Sequence, residues 1–225
     1  MSPRDADARA AFIRANTVLA APSSCPEIRL HLATEVTPLW SATEDFLAEH
    51  ALPPPYWAFA WAGGQALARH LFDHRDLVRG RRVLDFAAGS GIGAVAAARA
   101  GATLVEAADI DAMAGAAVAL NAAANDVTVT VRADDVLAAA PGKWEVVLAG
   151  DVCYERPMAE RVFAWLRSCA GAGALVLLAD PGRAYLPKQG LSRLAEYTVA
   201  CSRELEDRDS REVAVYRVAA ATDEE

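Results

Sequence analysis

A glycine-rich segment, VLDFAAGSGIGA from Val83 to Ala94, combines residue types that can hold a nucleotide-like cofactor. Counted from Gly89, it fits the G-x-G-x-x-A fingerprint of dinucleotide sites, and Asp109 follows about 20 residues later, as that fingerprint requires. Counted from Asp85, it gives Asp-x-Ala-x-Gly-x-Gly, which is close to the loop of S-adenosylmethionine enzymes. The spacing alone is compatible with both cofactors.

The charge at the end of the preceding strand distinguishes the two cofactors. A dinucleotide places its pyrophosphate on backbone N–H groups at a helix N-terminus, where positive potential is favourable. Asp85 lies four residues before Gly89, so its carboxylate would repel a pyrophosphate and attract the ammonium and sulfonium groups of S-adenosylmethionine. The sequence therefore favours the sulfonium cofactor over NAD.

Two later acids extend this prediction. Asp109 ends the second strand, where it can accept both ribose hydroxyls. Asp135 follows the third strand and can accept from the adenine amino group, while the Val136 N–H faces a ring nitrogen. The alternatives are a solvated loop acid at Asp109 and Asp134 in place of Asp135, and Asp111 is better explained as a helix cap.

The small residues of the glycine-rich segment have different predicted roles. Gly89 and Gly91 permit a close approach of the cofactor to the backbone, whereas Gly93 serves helix packing. Ala87 stands where many such loops have their first glycine, so we expect a negative φ there or a slightly rearranged loop.

Alternating strand and helix patterns must position these residues, which predicts an α/β fold with a parallel sheet. The segments with a recognisable pattern are a helix over 5–20, a strand within 27–33, a shaped loop over 52–64, helices over 65–74, 92–100, 112–124 and 156–170, strands over 82–86, 103–108, 127–132, 144–150 and 174–179, and a C-terminal hairpin from 197–205 and 212–218. We divide the chain into an extension and lid over 1–64, a cofactor domain over 65–220 and a frayed tail over 221–225.

The composition excludes several classes of protein. Apolar residues make up 54% of the chain, yet no apolar run approaches the roughly 20 residues of a membrane span. The net charge of -8 argues against broad binding to nucleic acids or anionic membranes. Because acids interrupt the N-terminal arginines, no targeting signal is expected, so we predict a cytoplasmic location. We separately predict a monomer. The chain has four cysteines, Cys25, Cys153, Cys169 and Cys201. Their spacing matches neither a metal site nor a disulfide framework, so we expect no metal site.

Five segments together resemble one methyltransferase family: PPYWAFAWAGGQALARHL, RGRRVLDFAAGSGIGAVAAARAGA, AADIDAMAGAAVALNAAAN, KWEVVLAGDVCYE and LLADPGR. They are similar to segments of the electron transfer flavoprotein beta-subunit lysine methyltransferases, and FIRANT and PEIRLHLATEVTPLW extend the likeness towards the N-terminus. The resemblance implies a Rossmann-like sheet of seven strands in the order 3-2-1-4-5-7-6, with strand 7 antiparallel. It also implies S-adenosylmethionine as methyl donor and lysines of the flavoprotein beta subunit as acceptors.

Other functions stay open at this point, because a fold and a cofactor do not fix the methyl acceptor. The alternatives are a methyltransferase for a ribosomal protein or a small-molecule amine, a regulatory module without activity and, least favoured, a nicotinamide dehydrogenase.

The resemblance further implies roles for residues outside the glycine-rich segment. Asp151 and Tyr154, in DVCYE, would line the opening where the methyl group meets the substrate amine. The W-x-G-G-Q segment from Trp61 to Gln65 would form a lid and wall near the methionine end of the cofactor, whereas Trp57 and Phe59 are better explained as packed aromatics. The DPGR segment, 180–183, is either a substrate contact or a turn. The predicted catalytic residues are Asp151 and Tyr154, and the predicted cofactor-binding residues are Trp61, Gly63, Asp85, Ala87, Gly89, Gly91, Asp109, Ile110, Asp135, Val136 and Gly150.

Methyl transfer to lysine requires a neutral amine, which is roughly one part in a thousand of a lysine whose pKa is about 10.4. The cofactor's charge and a dehydrated, aromatic entrance would lower the amine pKa, whereas Asp151 would raise it while drawing the cation in. We therefore assign Asp151 to binding and orientation, and Tyr154 to a hydrogen bond or ring contact with the amine. Glu155 is better explained as the cap of the next helix.

Overall fold

The computed structural model describes residues 3–34, 37, 39, 54–138, 140–141, 144–201, 203 and 208–221. The helices are α1 Pro3–Asn16, α2 Ala62–Asp73, α3 Ile92–Arg99, α4 Ala112–Ala124 and α5 Arg156–Gly171, with short 3-10 turns at Tyr56–Ala58, Arg75–Leu77 and Val136–Ala138. The strands are β1 Val18–Ala20, β2 Leu30–Leu32, β3 Arg82–Phe86, β4 Leu104–Ala108, β5 Thr130–Arg132, β6 Val146–Gly150, β7 Leu175–Asp180, β8 Leu191–Ala200 and β9 Ser210–Val218.

Seven of these strands form one sheet in the order β5-β4-β3-β6-β7-β9-β8. Strands β3 to β7 run parallel, and β9 lies antiparallel to both β7 and β8. Numbered from β3, this is the order 3-2-1-4-5-7-6 with strand 7 antiparallel, so the predicted fold is confirmed.

The sheet is covered on both faces, as the apolar runs of its central strands require. Alternate residues point to opposite faces, so Val83 packs with α2 and α3 on one face, and Leu84 packs with α5 on the other. This two-sided core fixes the carboxyl ends of β3, β4 and β6 along one edge, where the predicted site residues lie.

The N-terminal segment is tied to the sheet domain by buried amides. Strands β1 and β2 pair as an antiparallel hairpin beside α4. The side chain of Asn121, in α4, accepts from the His31 N–H at 2.7 Å and donates to the Ser90 carbonyl at 2.8 Å. Gln65, in α2, accepts from Ser23 Oγ and from the Ser24 N–H at 3.0 and 3.2 Å. The extension is thereby linked both to α2 and to the glycine-rich segment.

Some element boundaries differ from the prediction. Helix α1 ends at Asn16, and the chain then forms β1, which we had assigned to the helix. Helix α2 begins at Ala62, so Gly63 and Gly64 lie in its first turn and not in a loop. Strand β8 begins at Leu191, six residues earlier than expected, and pairs with β9 along its whole length. The predicted tail from 222 onward, and 52–53, 202 and 204–207 of the predicted loop and hairpin, lie outside the described residues.

Among the described residues, none of the helices has the length and apolarity that a membrane span needs.

Candidate active site

A cavity of about 570 Å³ opens at the carboxyl ends of β3, β4 and β6. This size lies within the usual range for small-molecule sites, about 300–1,000 Å³. Its apolar wall includes Phe86, Ala108, Leu137 and Met158. Ten of the thirteen predicted site residues line it: Trp61, Ala87, Gly89, Asp109, Ile110, Asp135, Val136, Gly150, Asp151 and Tyr154. The other three, Gly63, Asp85 and Gly91, lie behind the wall.

Asp85 lies beneath the glycine-rich segment. Its buried Oδ2 accepts the Ala94 N–H at 2.8 Å, which ties the end of β3 to the first turn of α3. A Cβ at position 93 would lie 2.7 Å from Asp85 Oδ1, so a larger residue there would have to displace the Asp85 carboxylate. Burial raises the pKa of Asp85 to about 7, against a weaker lowering by the Ala94 hydrogen bond. The carboxylate borders a small adjoining cavity, which also touches Ala87 and Gly89, so its charge acts from one layer below the main cavity.

The backbone of the glycine-rich segment turns in the left-handed region. Ala87 has φ = +51°, followed by Gly89 at +52° and Gly91 at +75°. The expectation of a negative φ at Ala87 was therefore wrong. The Ala88 N–H donates to the Ala108 carbonyl at 3.1 Å, which holds the turn against β4 and keeps Ala87 in this conformation. A Cβ at Gly91 would lie 2.9 Å from Val118, so that glycine serves close packing on α4.

Asp109 connects the glycine-rich segment to the end of β4. Its Oδ2 accepts from the Gly89 N–H and its Oδ1 from the Asp111 N–H, both at 2.9 Å. Burial is the largest effect on this carboxyl and raises its pKa. Each carboxylate oxygen can accept more than one hydrogen bond, so both can still take ribose hydroxyls from the cavity side. Asp111 caps α4 by accepting from the Met113 N–H at 2.8 Å, as predicted.

The wall beyond β5 carries both candidate acids. Asp135 accepts from Arg161 at 2.6 Å, and this hydrogen bond is the main reason why its pKa is lowered. Asp134 forms an ion pair with Arg132 at 2.5 Å. Val136 is buried and begins the short turn Val136–Ala138. Both acids line the cavity, so the choice between Asp135 and Asp134 stays a prediction.

Ile110, which follows Asp109, presents its apolar side chain on the cavity wall. The residue is 80% exposed, the highest value among the exposed large hydrophobic residues of the described chain. A flat, apolar cofactor ring could cover it.

Asp151 follows β6 and is buried with both carboxylate oxygens bonded. Oδ1 accepts from Arg183 Nε at 3.1 Å and from a terminal guanidinium nitrogen at 2.7 Å, and Oδ2 accepts from the Gly63 N–H. Asp151 has φ = +56°, and its own N–H donates to the Ala179 carbonyl at 3.0 Å. Burial raises its pKa to about 6, with Arg183 acting in the opposite direction. We expected Asp151 to draw an ammonium in, and the pairing with Arg183 offsets that attraction.

The DPGR segment forms a turn whose arginine contacts Asp151, and a contact with the substrate stays a prediction. Asp180 Oδ1 accepts from the backbone N–H groups of Gly182 and Arg183 at 2.7 and 2.6 Å, which shapes the exit from β7. This turn directs Arg183 across to Asp151 and onto the cavity wall. Sequence reasoning left the role of Arg183 open because no local pattern links positions 151 and 183.

Aromatic side chains border the cavity. Trp61 donates from Nε1 to the Tyr56 carbonyl at 2.9 Å, and the ring centroids of Tyr56 and Tyr154 lie 5.9 Å apart. Tyr56 and Tyr154 are 50% and 46% exposed, whereas Trp57 is buried in the packed aromatic position that we predicted. Phe59 packs edge-on against Trp61. Tyr56 was not predicted, although the aromatic repetition in PPYWAFAW was a usable signal.

The W-x-G-G-Q segment supports the site from behind. A Cβ at Gly63 would lie 2.5 Å from Asp151 Oδ2 and 2.7 Å from the Ala179 carbonyl, so the first turn of α2 sits directly against β6 and β7. A Cβ at Gly150 would lie 3.0 Å from the Gly64 nitrogen. Gln65 points to the N-terminal extension and not to the cavity. Glu155 occupies the N-cap position of α5, but its side chain makes no cap hydrogen bond.

The charges of the cavity fit S-adenosylmethionine better than a pyrophosphate. The described lining includes two basic residues, Arg161 and Arg183, and each is paired with a carboxylate. Within the part of the chain that the structure describes, no group of three or more His, Cys, Asp or Glu side chains is arranged to hold a metal ion. Acidic acceptors at the ends of β4 and β5, with the exposed Ile110 between them, suit an adenosine that carries hydroxyls and no phosphates.

Relatives with known names match most of the chain. The electron transfer flavoprotein beta subunit lysine methyltransferase of Rattus norvegicus is 37% identical over 196 residues, covering 84% of this chain and 76% of the relative. The protein of that name from Danio rerio is 35% identical over 213 residues, covering 92% and 81%. The chain belongs to the electron transfer flavoprotein beta subunit lysine methyltransferase family. The first turn of α2, which carries the W-x-G-G-Q segment, contacts the D-x-x-Y segment through the hydrogen bond from the Gly63 N–H to Asp151.

A broader family model, Ribosomal protein L11 methyltransferase (PrmA), matches residues 68–151. This range runs from within α2 to the residue after β6. It covers the glycine-rich segment and ends before Tyr154 and Arg183.

Solved structures share the fold at low sequence identity. A putative RNA methyltransferase from Pyrococcus horikoshii gives a TM-score of 0.51 at 15% identity, covering 72% of this chain and 83% of that one. A putative methyltransferase complexed with SAH gives 0.50 at 14% identity, covering 70% and 50%. The [4+2]-cyclase SpnF gives 0.52 at 13% identity, covering 69% and 81%. Since a cyclase shares the architecture, the fold alone does not fix the reaction.

Proposed function

We propose that this protein transfers methyl groups from S-adenosylmethionine to lysine side chains of the electron transfer flavoprotein beta subunit. The observation that carries the proposal is the match to relatives named for this activity over most of both chains. The cavity supports it, because its wall carries both acidic acceptors for the cofactor and half-exposed tyrosines that an acceptor side chain can reach.

The residues that would hold the cofactor follow from the cavity wall. Asp109 would accept the ribose hydroxyls, and Asp135 with the Val136 N–H would contact the adenine edge beside Ile110. The backbone around Gly89 and the buried charge of Asp85 would lie near the methionine part. When bound, S-adenosylmethionine supplies a methyl carbon made electrophilic by a positively charged sulfur.

On the acceptor side, the protein must bind a lysine and keep its amine neutral. Tyr154 lies at the mouth, where its hydroxyl can accept from the amine and its ring can face a methylated ammonium. Tyr56 stands beside it and narrows the entrance with an apolar surface, which disfavours an ammonium relative to an amine. Orientation and desolvation therefore supply the catalysis, with no covalent step on the protein.

A protein acceptor suits the open mouth better than a small amine does. Tyr56 and Tyr154 are half exposed on the protein surface, so a lysine could enter on its long side chain while the rest of its protein stays outside. The net charge of -8 would favour a basic, lysine-bearing surface. The monomeric state and cytoplasmic location stay predictions, which sedimentation and cell fractionation would check.

A second candidate acceptor is a ribosomal protein, because the L11 methyltransferase model matches part of the chain. That match covers the cofactor-binding half and ends before Tyr154 and Arg183, so it describes the donor side of the reaction. We therefore rank it below the flavoprotein.

The test is intact-mass measurement of recombinant flavoprotein beta subunit after incubation with the enzyme and S-adenosylmethionine. We expect additions in methyl-sized steps that fragmentation maps to lysines, and no addition to ribosomal protein L11 in parallel. Tyr154→Ala should abolish most transfer with nearly unchanged affinity for S-adenosylhomocysteine. An unmodified beta subunit beside methylated L11 would replace the first candidate by the second.

A further inference from the structure

The carboxylate of Asp151 has no oxygen left without a strong donor. Arg183 occupies Oδ1 with two guanidinium nitrogens, at 3.1 and 2.7 Å, and the Gly63 N–H occupies Oδ2. Gly63 lies in the first turn of α2, so its N–H also carries the positive end of a helix dipole. A carboxylate held in this way cannot act as a free anion towards a lysine in the cavity.

Arg183 is itself fixed by the chain around it. Its backbone N–H donates to Asp180 Oδ1 at 2.6 Å, within the turn that follows β7. Its guanidinium then spans to Asp151, after the neighbouring strand β6, and borders the cavity with only 21% of its side chain exposed. The two strand ends therefore present an ion pair beside the place where Tyr154 meets an acceptor.

The chemistry of the reaction explains why a paired acid is needed there. A lone carboxylate close to the amine would stabilise the ammonium, which has no electron pair for attack. Each unit by which the amine pKa rises costs a further tenfold in the neutral fraction, on top of the thousandfold already lost at neutral pH.

We infer that Arg183 is a positioning residue that neutralises Asp151, so that the wall beside the acceptor amine carries an oriented carboxylate without net negative charge. This inference rests on the proposed lysine methyltransferase function. It assigns Arg183 no contact with the reacting atoms, since its effect on the amine passes through Asp151.

The groups that face Asp151 come from three elements. They are Asp180 at the end of β7, Arg183 from the turn after it and the Gly63 N–H from α2. The buried Cys153 thiol, two residues after Asp151, has its pKa raised mainly by burial and in part by Asp151, so it stays neutral. Arg183 and Gly63 lower the pKa of Asp151, whereas Asp180 raises it, and Asp180 has its own donors in Gly182 and Arg183. Arg183 is thus the full positive charge that balances this carboxylate.

The test compares the pH dependence of methyl transfer in four variants: Arg183→Gln, Arg183→Lys, Asp151→Asn and the double variant Arg183→Gln with Asp151→Asn. The rising limb of kcat/KM is measured between about pH 8 and 10, where the acceptor lysine loses its proton. In Arg183→Gln the ionised Asp151 is uncompensated, so the limb should move to higher pH by one unit or more, with at least tenfold lower kcat/KM at pH 8.

The other variants give the opposite and the restored result. Asp151→Asn leaves a guanidinium charge beside the amine, so its limb should move to lower pH. The double variant should return the limb to within a few tenths of a unit of the wild type. Arg183→Lys keeps the positive charge, so its rising limb should stay at the wild-type pH even if kcat falls.

Two further measurements do not depend on methyl transfer. The Asp151 carboxyl, labelled with carbon-13 and assigned by its loss in Asp151→Asn, should titrate at higher pH in Arg183→Gln than in the wild type. Calorimetry with S-adenosylhomocysteine should give affinities within about threefold of the wild type for all four variants.

Three results would overturn the inference. The first is that the rising limb of kcat/KM stays at the same pH in all variants. The second is that it moves in the same direction in Arg183→Gln and in Asp151→Asn. The third is that the Asp151 carboxyl titrates at the same pH in Arg183→Gln as in the wild type. Failure of the proposed acceptor is distinguishable, because the wild type would then label another protein and leave the beta subunit unmodified. The limbs would in that case be measured on the labelled protein.

Discussion

Asp109 carries two tasks at the scale of a single residue. It binds the Gly89 and Asp111 N–H groups, and it faces the cavity where ribose hydroxyls would lie. Asp109→Ala should therefore weaken S-adenosylhomocysteine binding by about 1–3 kcal/mol, the usual cost of losing hydrogen bonds to a charged group. Calorimetry measures this, with Asp76→Ala, an exposed acid on the turn before β3, as the control. Unchanged affinity in Asp109→Ala would exclude the ribose role.

Three of the described residues other than glycine have a positive φ, and two of them line the cavity, whereas the third, Asp126, follows α4 outside it. Ala87 and Asp151 both have φ near +55°, at +51° and +56°, a region that favours glycine. Such strain tends to occur at functional sites, where the surrounding structure imposes it. At Asp151 the strain directs the carboxylate to Gly63 and Arg183.

Ala87→Gly tests this strain directly. Removing the strain of a left-handed alanine stabilises the folded state by about 1–2 kcal/mol. The glycine also makes the unfolded chain more flexible, which lowers stability by about 0.4–1 kcal/mol. We expect the free energy of unfolding, measured in urea, to rise by up to about 1.5 kcal/mol. Gly89→Ala, two residues later at φ = +52°, should lower it, since a Cβ there makes only an ordinary contact with the Tyr56 carbonyl at 3.9 Å and adds backbone strain. A lower stability for Ala87→Gly would contradict the positive φ.

At the scale of elements, the first turn of α2 sets the position of Asp151. Gly63→Ala places a methyl group 2.5 Å from Asp151 Oδ2 and 2.7 Å from the Ala179 carbonyl. Since backbone must move, we expect a loss of about 1–3 kcal/mol in stability and a large loss of methyl transfer. Gly171→Ala, at the end of α5, is the matched control, because its new Cβ would meet only Ala220 at 3.8 Å. Normal transfer in Gly63→Ala would rule out a need for this close contact.

The sequence predicted some elements well and others poorly, for physical reasons. The prediction for β3 matches the structure because three apolar residues, Val83, Leu84 and Phe86, lead directly into a glycine-rich turn, the pattern of a buried parallel strand. The first turn of α2 was missed because two glycines favour a loop locally, and close packing on Gly150 overrides that preference. Strand β1 was missed because three residues carry too little pattern.

The candidate site shows the same division. Acids that directly follow predicted strands, such as Asp109, could be placed at the sheet edge from the sequence. The pairing of Arg183 with Asp151 could not, because it joins two strand exits 32 residues apart. Only the strand order brings those exits together.

At the scale of the whole molecule, buried acids make stability depend on pH. Burial raises the pKa of Asp85 to about 7 and that of Asp151 to about 6. Between their ordinary pKa near 4 and these values, the folded state binds more protons than the unfolded state, so their contribution to the free energy of unfolding falls as pH rises. The acids with lowered pKa, such as Glu145 and Asp135, act in the opposite direction but lie in exposed ion pairs, which contribute little.

Asp85→Asn should remove most of this slope. The amide keeps an acceptor for the Ala94 N–H but cannot ionise. As the pH rises from 5 to 8, the free energy of unfolding of the variant should therefore increase relative to that of the wild type. The upper limit over this interval is about 3 kcal/mol, because about two units separate pH 5 from the folded pKa of about 7, at about 1.36 kcal/mol each. Urea unfolding at both pH values measures the difference, with Asp209→Asn, from an exposed pair, as the control. If the free energy of unfolding changed equally with pH in Asp85→Asn and in the wild type, burial would not raise the pKa of Asp85.

The N-terminal extension should fold together with the cofactor site, because Asn121 joins the two. Its buried amide holds both the His31 N–H of β2 and the Ser90 carbonyl of the glycine-rich segment. Asn121→Ala leaves these two backbone groups without their partner, which costs about 1–3 kcal/mol for each buried group. We therefore expect lower stability, faster amide exchange in β2 and weaker binding of S-adenosylhomocysteine.

Gln65→Ala is the control, since Gln65 ties the extension to α2 through Ser23 and Ser24 without contacting Ser90. It should loosen the extension and leave cofactor affinity unchanged, and equal losses of affinity in both variants would show that the extension acts on the site by a route other than Asn121.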